Sequence, residues 1–370
     1  MANSKLRILV VDDTVVYRTI LSNVVTELPG AELAGVAHNG RIAMSKITSL
    51  KPDLLLLDIE MPEMNGLEVL AEMRGQASHV GAIVVSMLTN EGGEMTIKAL
   101  ELGAFDFICK PQHNDINKNK KAIKNTLAPM IKSFVRMREI KSILEQSSFA
   151  SNDAIGNKKQ QNFAGTFHRN NSITAFPDKK SAIVAIGIST GGPKALIQMM
   201  PEIPHNLGVP ILIVQHMPPF FTKSLANSLD SKCSIKVKEA QDGEIVQSNT
   251  ALIAPGGKQM KIEPSVDRKH NIIRITDDPP ENSCKPSADY LFRSIANHYA
   301  GRATGVIMTG MGSDGANGLK LMKQNGAFIV AQDEKTSIIY GMPKKAIESG
   351  IVDVVAPLDA MAEEICRTVR

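Results

Sequence analysis

Three residues that end apolar runs have the types needed for nucleophilic catalysis: Ser189 in AIGISTGGP, His216 in VPILIVQHMPP and Asp314 in GVIMTGMGSDGANG. A serine hydroxyl is a weak nucleophile until a base takes its proton, and the imidazole needs a third group to orient it and stabilise its charge. In that scheme Ser189 attacks an acyl carbon, His216 moves the proton and Asp314 orients the ring. Each residue also has a plainer reading: a turn hydroxyl between glycines, a structural histidine at a strand end, and an aspartate that caps or turns in GSDG. GISTG fits the general G-x-S-x-G elbow, but that pattern is short and has many chance matches. The chain order Ser, His, Asp also differs from that of the α/β-hydrolases. The coincidence of all three residues points to a hydrolase of separate design. An oxyanion needs backbone donors. The glycine turn at Met311 and Gly312 is placed to supply one, with Thr190 a further polar contact.

A second set lies near the N-terminus. VVDD ends on Asp12 and Asp13, LLLLD on Asp58 and VVS on Ser86, and FICKP brings Lys110. Crowded carboxylates repel unless a cation joins them, and hard oxygen ligands suit Mg²⁺, which retains waters and accepts phosphate oxygens. Asp58 would attack phosphorus in line, with Asp13 and Asp58 holding Mg²⁺ and Asp12 joining through water. Lys110 and Ser86 would contact the phosphoryl oxygens. Any one of these acids read alone is a helix N-cap. Acids ending several strands, with Lys-Pro after another, favour a phosphoryl-accepting site.

The elements that must position these groups follow from the patterning. LRILVV, LAGVA, DLLLLD, AIVVS and FDFIC alternate with amphipathic stretches, and the same holds for SAIVAIGIS, VPILIVQH, TALIAP, ATGVIMTG and AFIVAQD. Such alternation predicts two doubly wound α/β domains with parallel sheets, whose ligand crevices open at strand carboxyl ends. The expected divisions are residues 1–146, a polar linker at 147–180 without sustained period, and residues 181–370. A chain of 370 residues, 43% hydrophobic and 22% charged, accommodates two globular domains. The net charge of +4 is dispersed, and the basic run NKNKKAIKN has no aromatic for base stacking, so nucleic acid is not an expected partner. That run reads as a solvated helix face. The four cysteines, Cys109, Cys233, Cys284 and Cys366, are far apart and have no histidine at zinc-ligand spacing beside them, so neither disulfides nor a zinc site are expected. The start MANSKLRILVVDD is neither a signal peptide nor a membrane span, which points to the cytoplasm without membrane insertion.

With these motifs in view, residues 6–145 resemble a response-regulator receiver domain through VVDDT, DIEMPEMNGLEVL, VVSMLT and ALELGAFDFICKP. The resemblance implies a flavodoxin-like fold and phosphorylation of Asp58 by a histidine kinase. It also implies that the Glu60 carbonyl completes the metal site, that Ser86 and Phe107 form a switch pair, and that the Lys110–Pro111 bond is cis. Met87 departs from the usual small residue beside the switch serine. Residues 181–370 resemble the Rossmann-like catalytic domain of the chemotaxis protein-glutamate methylesterases through IGISTGGP, QHMPPFFTKSLA, KPSADYLFRSIA, TGMGSDGANGL and AQDEKTSIIYGMP. This second resemblance implies that Ser189, His216 and Asp314 are the triad and that the Met311 backbone belongs to the oxyanion hole. The implied reaction is hydrolysis of glutamate γ-methyl esters on cytoplasmic chemoreceptor helices, with glutamine deamidation in some members and no cofactor in this domain. It further implies that the unphosphorylated receiver packs on the catalytic face and blocks it. Departures are Phe220 for a glycine, Ser228 for a common basic residue, and Gln259 for a frequent histidine.

Overall fold

In the computed structural model, which describes residues 5–77, 79–150 and 180–369, the first apolar runs become five parallel strands with helices between them. The elements are β1 (Leu6–Val11), α1 (Val15–Thr26), β2 (Ala31–Ala37), α2 (Gly40–Leu50), β3 (Leu54–Asp58), α3 (Gly66–Gln76), β4 (Gly81–Ser86), α4 (Asn90–Glu101), β5 (Asp106–Cys109) and α5 (Ile116–Ala150). The strand order is β2-β1-β3-β4-β5. Helices cover both faces, so the central strands read as continuous apolar runs, and Leu54 to Leu57 are wholly buried. The chain reverses its winding between β1 and β3, which opens a crevice at their carboxyl ends. Asp12, Asp13 and Asp58 stand there. Helix α5 continues to Ala150, past the expected start of the linker at 147. The rest of that segment, 151–179, lies outside the described residues.

The second half contains β6 (Ile183–Ile188), α6 (Gly192–Met199), β7 (Ile211–Gln215), α7 (Phe221–Asp230), β8 (Lys236–Glu239), β9 (Thr250–Ile253), β10 (Gln259–Pro264) and β11 (Asn271–Thr276). It continues with α8 (Ala288–Tyr299), β12 (Ala303–Ile307), α9 (Ala316–Gln324), β13 (Phe328–Gln332), α10 (Met342–Glu348), β14 (Val354–Ala356) and α11 (Met361–Val369). Seven strands form a parallel sheet in the order β14-β13-β12-β6-β7-β9-β8, and β10 and β11 form a separate antiparallel pair. Both expected parallel sheets are therefore present. The antiparallel pair and the edge strands β8 and β14 are additions to the elements read from the sequence. Strand β8 is KVKE, with a single apolar residue, the charged composition that keeps a sheet edge from pairing further.

The two halves are packed together. Helix α4 lies on α7 and α6, and one apolar core continues from Ile97 and Leu100 to Phe221 and Leu225. Gly93 permits the approach: a Cβ there would meet Ser224 Oγ at 3.0 Å and the Phe220 carbonyl oxygen at 3.3 Å. Among the described residues no helix is long and apolar enough to cross a membrane.

Candidate functional site

Parallel register brings the three hydrolase candidates together. Strand β6 lies between β7 and β12, with Ile188 opposite Gln215 and Gly187 opposite Ile307. Ser189 therefore leaves the sheet beside His216, and the glycine turn after β12 returns Asp314 to the same edge. The Ser189 amide donates to the Thr309 carbonyl at 2.9 Å, and the His216 amide to the Ile188 carbonyl at 3.1 Å. Buried Gln215 braces the turn from below, its Nε2 donating to the Ser189 carbonyl at 2.9 Å. Gly191 has φ 76°, a conformation that favours glycine, and Pro193 occupies the first turn of α6.

His216 Nε2 is 2.8 Å from Asp314 Oδ2, and its other nitrogen, Nδ1, faces Cys284 Sγ at 3.6 Å. No hydrogen bond joins Ser189 Oγ to the ring. Burial lowers the His216 pKa, but Asp314 and Cys284 outweigh it and hold the ring at about 9. The Asp314 carboxylate sits at the N-terminus of α8. It accepts from Ser287 Oγ (2.7 Å), the Ala288 amide (2.6 Å) and Asn282 Nδ2 (2.9 Å). Burial alone would raise its pKa, yet His216, Ser287 and Asn282 hold it down at about 2. Ser287 and Asn282 were not singled out from the sequence, although the serine before an apolar helix in KPSADYLF is an N-cap signal. Gly310 packs directly under Ser189, where a Cβ would lie 2.7 Å from the Ser189 Cβ. Met311 is exposed and Gly312 has φ 89°, a conformation that favours glycine. The Thr190 carbonyl accepts from Thr309 Oγ1 at 3.0 Å, which ties this residue to the same floor.

Of the departures, Gln259 is buried and joins the antiparallel pair to the loop before α8. Its Nε2 donates to the Pro279 carbonyl at 3.1 Å and its Oε1 accepts the Ser287 amide at 2.9 Å. Phe220 has φ 72° at the start of α7, which is a physical reason for glycine to be usual there.

In the N-terminal crevice, Lys110 Nζ lies 2.6 Å from Asp58 Oδ2 and 2.9 Å from Asp12 Oδ2. Asp12 Oδ1 accepts from the Thr14 amide and hydroxyl, while its buried Oδ2 pairs with the Lys110 ammonium. Burial pushes the Asp58 carboxyl up to about 6, against the pull of Lys110 and with a push from Asp12 and Asp13. Oxygens of Asp12, Asp13 and Asp58 lie within 4.8 Å of one another, with Asp13 exposed. This donor set fits a hard divalent cation: oxygen only, with more negative charge than the one ammonium neutralises. Glu60 is exposed just beyond β3. The Ser86 hydroxyl donates to the Gly92 carbonyl at 3.2 Å and does not reach Asp58. The Lys110–Pro111 bond is not cis as implied; the cis peptide among the described residues is Lys285–Pro286. With a trans bond the Pro111 carbonyl accepts from Tyr17 at 2.7 Å and the ammonium still reaches both acids.

The crevice and the hydrolase site meet through β5. The Phe107 ring stacks on Phe221 of α7, centroids 5.1 Å apart. Next to it, fully buried Asp106 accepts the Gly191 amide at 3.0 Å, two residues from Ser189. Burial raises the Asp106 carboxyl to about 6, although the amides of Phe107 and Gly191 and the Lys194 ammonium oppose it. Glu101 at the end of α4 accepts from Ser228 Oγ at 2.5 Å and from Lys232 at 2.7 Å, so the positive charge lies one turn beyond Ser228.

Fold and geometry thus define a two-domain α/β protein in which the domain bearing an acidic strand-end crevice is docked, through α4 and β5, beside a hydrolase-like strand-end site. Family models agree with that division: the response regulator receiver domain matches residues 8–121, and CheB methylesterase matches residues 184–365. A protein-glutamate methylesterase/protein-glutamine glutaminase of Desulfotalea psychrophila is 52% identical over 367 residues, 99% of both chains. One from Trichodesmium erythraeum is 40% identical over 99% of both. The CheB methylesterase catalytic domain of Thermotoga maritima is 38% identical, covering 50% of this chain and 98% of that one, with a TM-score of 0.49. The chain belongs to the CheB methylesterase family with an N-terminal receiver domain.

Proposed function

We propose that the protein is a phosphorylation-activated serine hydrolase of the cytoplasm that removes γ-methyl esters from glutamates of chemoreceptor helices and deamidates receptor glutamines. The observation that carries this reading is the convergence of Ser189, His216 and Asp314 on three adjacent strand ends with the His216–Asp314 bond already made. We assign the receiver to residues 1–146 and the esterase to 181–370, joined by 147–180.

Asp314 holds Nε2, so Nδ1 is the nitrogen left to take the Ser189 proton. Ser189 Oγ attacks the ester carbonyl and its proton passes to Nδ1, while the Met311 and Gly312 amides face the oxyanion and Thr190 lines the same edge. Methanol leaves with the proton from His216. Water then attacks the acyl carbon with His216 as base, giving the glutamate carboxylate and free Ser189. A glutamine side chain follows the same course with ammonia as leaving group. Asp314 carries the charge opposite the imidazolium throughout, and its low pKa keeps it ionised.

In the receiver, Asp58 is the phosphoacceptor, the donor a histidine kinase, and Asp12, Asp13, Asp58 and the Glu60 carbonyl are the residues to hold Mg²⁺. Bound there, the ion supplies neutralisation of phosphoryl and carboxylate charge. Lys110 pairs with Asp58 and stands ready for a phosphoryl oxygen, and Ser86 must leave the Gly92 carbonyl to reach one. Phe107, the other switch residue, is packed on Phe221, so its rearrangement works against docking directly. The receiver inhibits while docked.

The test is methanol release from methylated chemoreceptor membranes, with and without Mg²⁺ and a small phosphodonor, in the intact protein and in Ser189→Ala. Donor-stimulated release that disappears in Ser189→Ala is expected. A wedge at the interface, Gly93→Leu, is expected to raise unstimulated release toward the stimulated rate. Release persisting in Ser189→Ala refutes the triad, and no gain from the wedge refutes inhibition by docking.

A further inference from the structure

We propose that Cys284 and His216 form a binding site for a borderline-soft divalent cation, with Zn²⁺ the best fit, and that occupancy shuts the esterase. The proposal rests on the reading of His216 as the base.

Cys284 lies in the loop between β11 and α8. It closes a reciprocal backbone pair with Glu281, at 3.1 and 2.7 Å. Its half-buried Sγ is 3.6 Å from His216 Nδ1. Zn–S and Zn–N bonds of about 2.3 and 2.05 Å at a tetrahedral angle separate sulfur and nitrogen by about 3.6 Å. The separation of the two atoms where they stand therefore matches that of two ligands on one ion. The opposite nitrogen, Nε2, is 2.8 Å from Asp314 Oδ2, the carboxylate–histidine arrangement that fixes the tautomer of a metal-ligating ring and strengthens its free nitrogen. Ser287, Ala288 and Asn282 hold that carboxylate in place, so it stays behind the ring. Donor atoms of His216, Cys284 and Asp314 lie within 4.8 Å of one another, and the other three cysteines join no such group among the described residues.

The ligand types decide the class of ion. Thiolate and imidazole select Zn²⁺ and its borderline neighbours over Mg²⁺, which favours the all-oxygen crevice of the receiver. Two protein ligands leave the remaining positions to water, as suits an exchangeable inhibitor. Binding releases the thiol proton and any proton on Nδ1. The metal takes the same lone pair that accepts the Ser189 proton, and turnover stops. Sequence spacing hides the site, because the two ligands are 68 positions apart.

The test is titration of the full-length protein with Co²⁺, read by the thiolate-to-cobalt absorption band in the near ultraviolet, followed by displacement with Zn²⁺. In parallel, methanol release is followed against Zn²⁺ concentration and after a chelator is added. The band should appear in the parent and be absent from Cys284→Ser and Cys284→Ala, with folding checked by circular dichroism. Half-inhibiting Zn²⁺, relative to each variant's own uninhibited rate, should rise about ten-fold or more. A band retained in both variants, or inhibition unchanged by them, overturns the proposal. A cobalt band in a protein that releases no methanol leaves the site standing and refutes the esterase reading instead.

Discussion

Asp58 ends one parallel strand and Asp314 lies in the turn after another, and both are buried, yet one is pushed up to about 6 and the other held down at about 2. The difference lies in what surrounds them. Asp314 meets a helix N-terminus, a hydroxyl, an amide and the His216 ring, all donors. Asp58 meets one ammonium, shared with Asp12, and two further acids. A fully hydrogen-bonded carboxylate is a fixed part that steers a neighbour, whereas an under-compensated one retains affinity for a cation and an electrophile. On the function proposed above, the carboxyl edges of the two sheets thus supply an orienting group in one domain and a reacting group in the other.

The largest effect should come from breaking the satisfied side. Asp314→Asn replaces an acceptor-only group by one whose amide can donate to Nε2, which favours the wrong tautomer of His216 and removes the charge opposite the imidazolium. We expect kcat for methanol release to fall about 10⁴-fold. A fall of less than about ten-fold, with the fold intact, would show that Asp314 only supports α8. On the unsatisfied side, Asp58→Asn should abolish the stimulated increment alone. Release should be the same with and without phosphodonor and Mg²⁺, at the parent's unstimulated rate. Stimulation surviving in Asp58→Asn would place the phosphoacceptor elsewhere.

The interface sharpens the comparison with a third buried carboxylate, Asp106. Docked, its pKa is about 6; if undocking removes the Gly191 contact and admits water, an ordinary aspartate value of about 3.9 is expected. A raised pKa in the docked state means that docking takes up a proton. Docking is strongest below the undocked pKa and is lost as pH rises through about 6. Between about pH 7.5 and pH 5 the docking equilibrium should tighten about ten-fold, close to one pKa unit or about 1.4 kcal/mol. Interdomain fluorescence transfer reads this directly, and Asp106→Asn should flatten the pH response. An equal response in Asp106→Asn would assign it to other groups.

Much of this was legible in the sequence because strand-end positions follow from where apolar runs stop. VVDD, LLLLD, GIS and VQH each deliver their polar residue to the sheet edge, and the parallel pairing of β6 with β7 and β12 does the rest. What was not legible depends on partners distant in the chain. The support of Asp314 by Asn282 and Ser287 and the thiol against His216 come from a loop without regular pattern. The β10–β11 pair was missed because its alternation is weak and half exposed. The contact of Asp106 with Gly191 crosses 85 positions and two domains, and no local signal marks it.

The smallest effect concerns Phe220, which stands 43% exposed at φ 72° where α7 begins beside the interface. A non-glycine residue held in such a conformation costs about 1–3 kcal/mol. Glycine removes that strain but gains freedom in the unfolded chain, which returns about 0.4–1 kcal/mol. Little packing is lost with a half-exposed ring, while the Phe220 carbonyl that accepts the Ser224 amide at 3.2 Å is kept by any residue. Phe220→Gly should therefore raise stability by about 1 kcal/mol, a rise of about 2–4 °C in the esterase-domain transition. The measurement is a thermal melt of the full-length variant beside the parent. A lower transition would mean that the ring contributes more in contact with α4 and solvent than the backbone loses in strain.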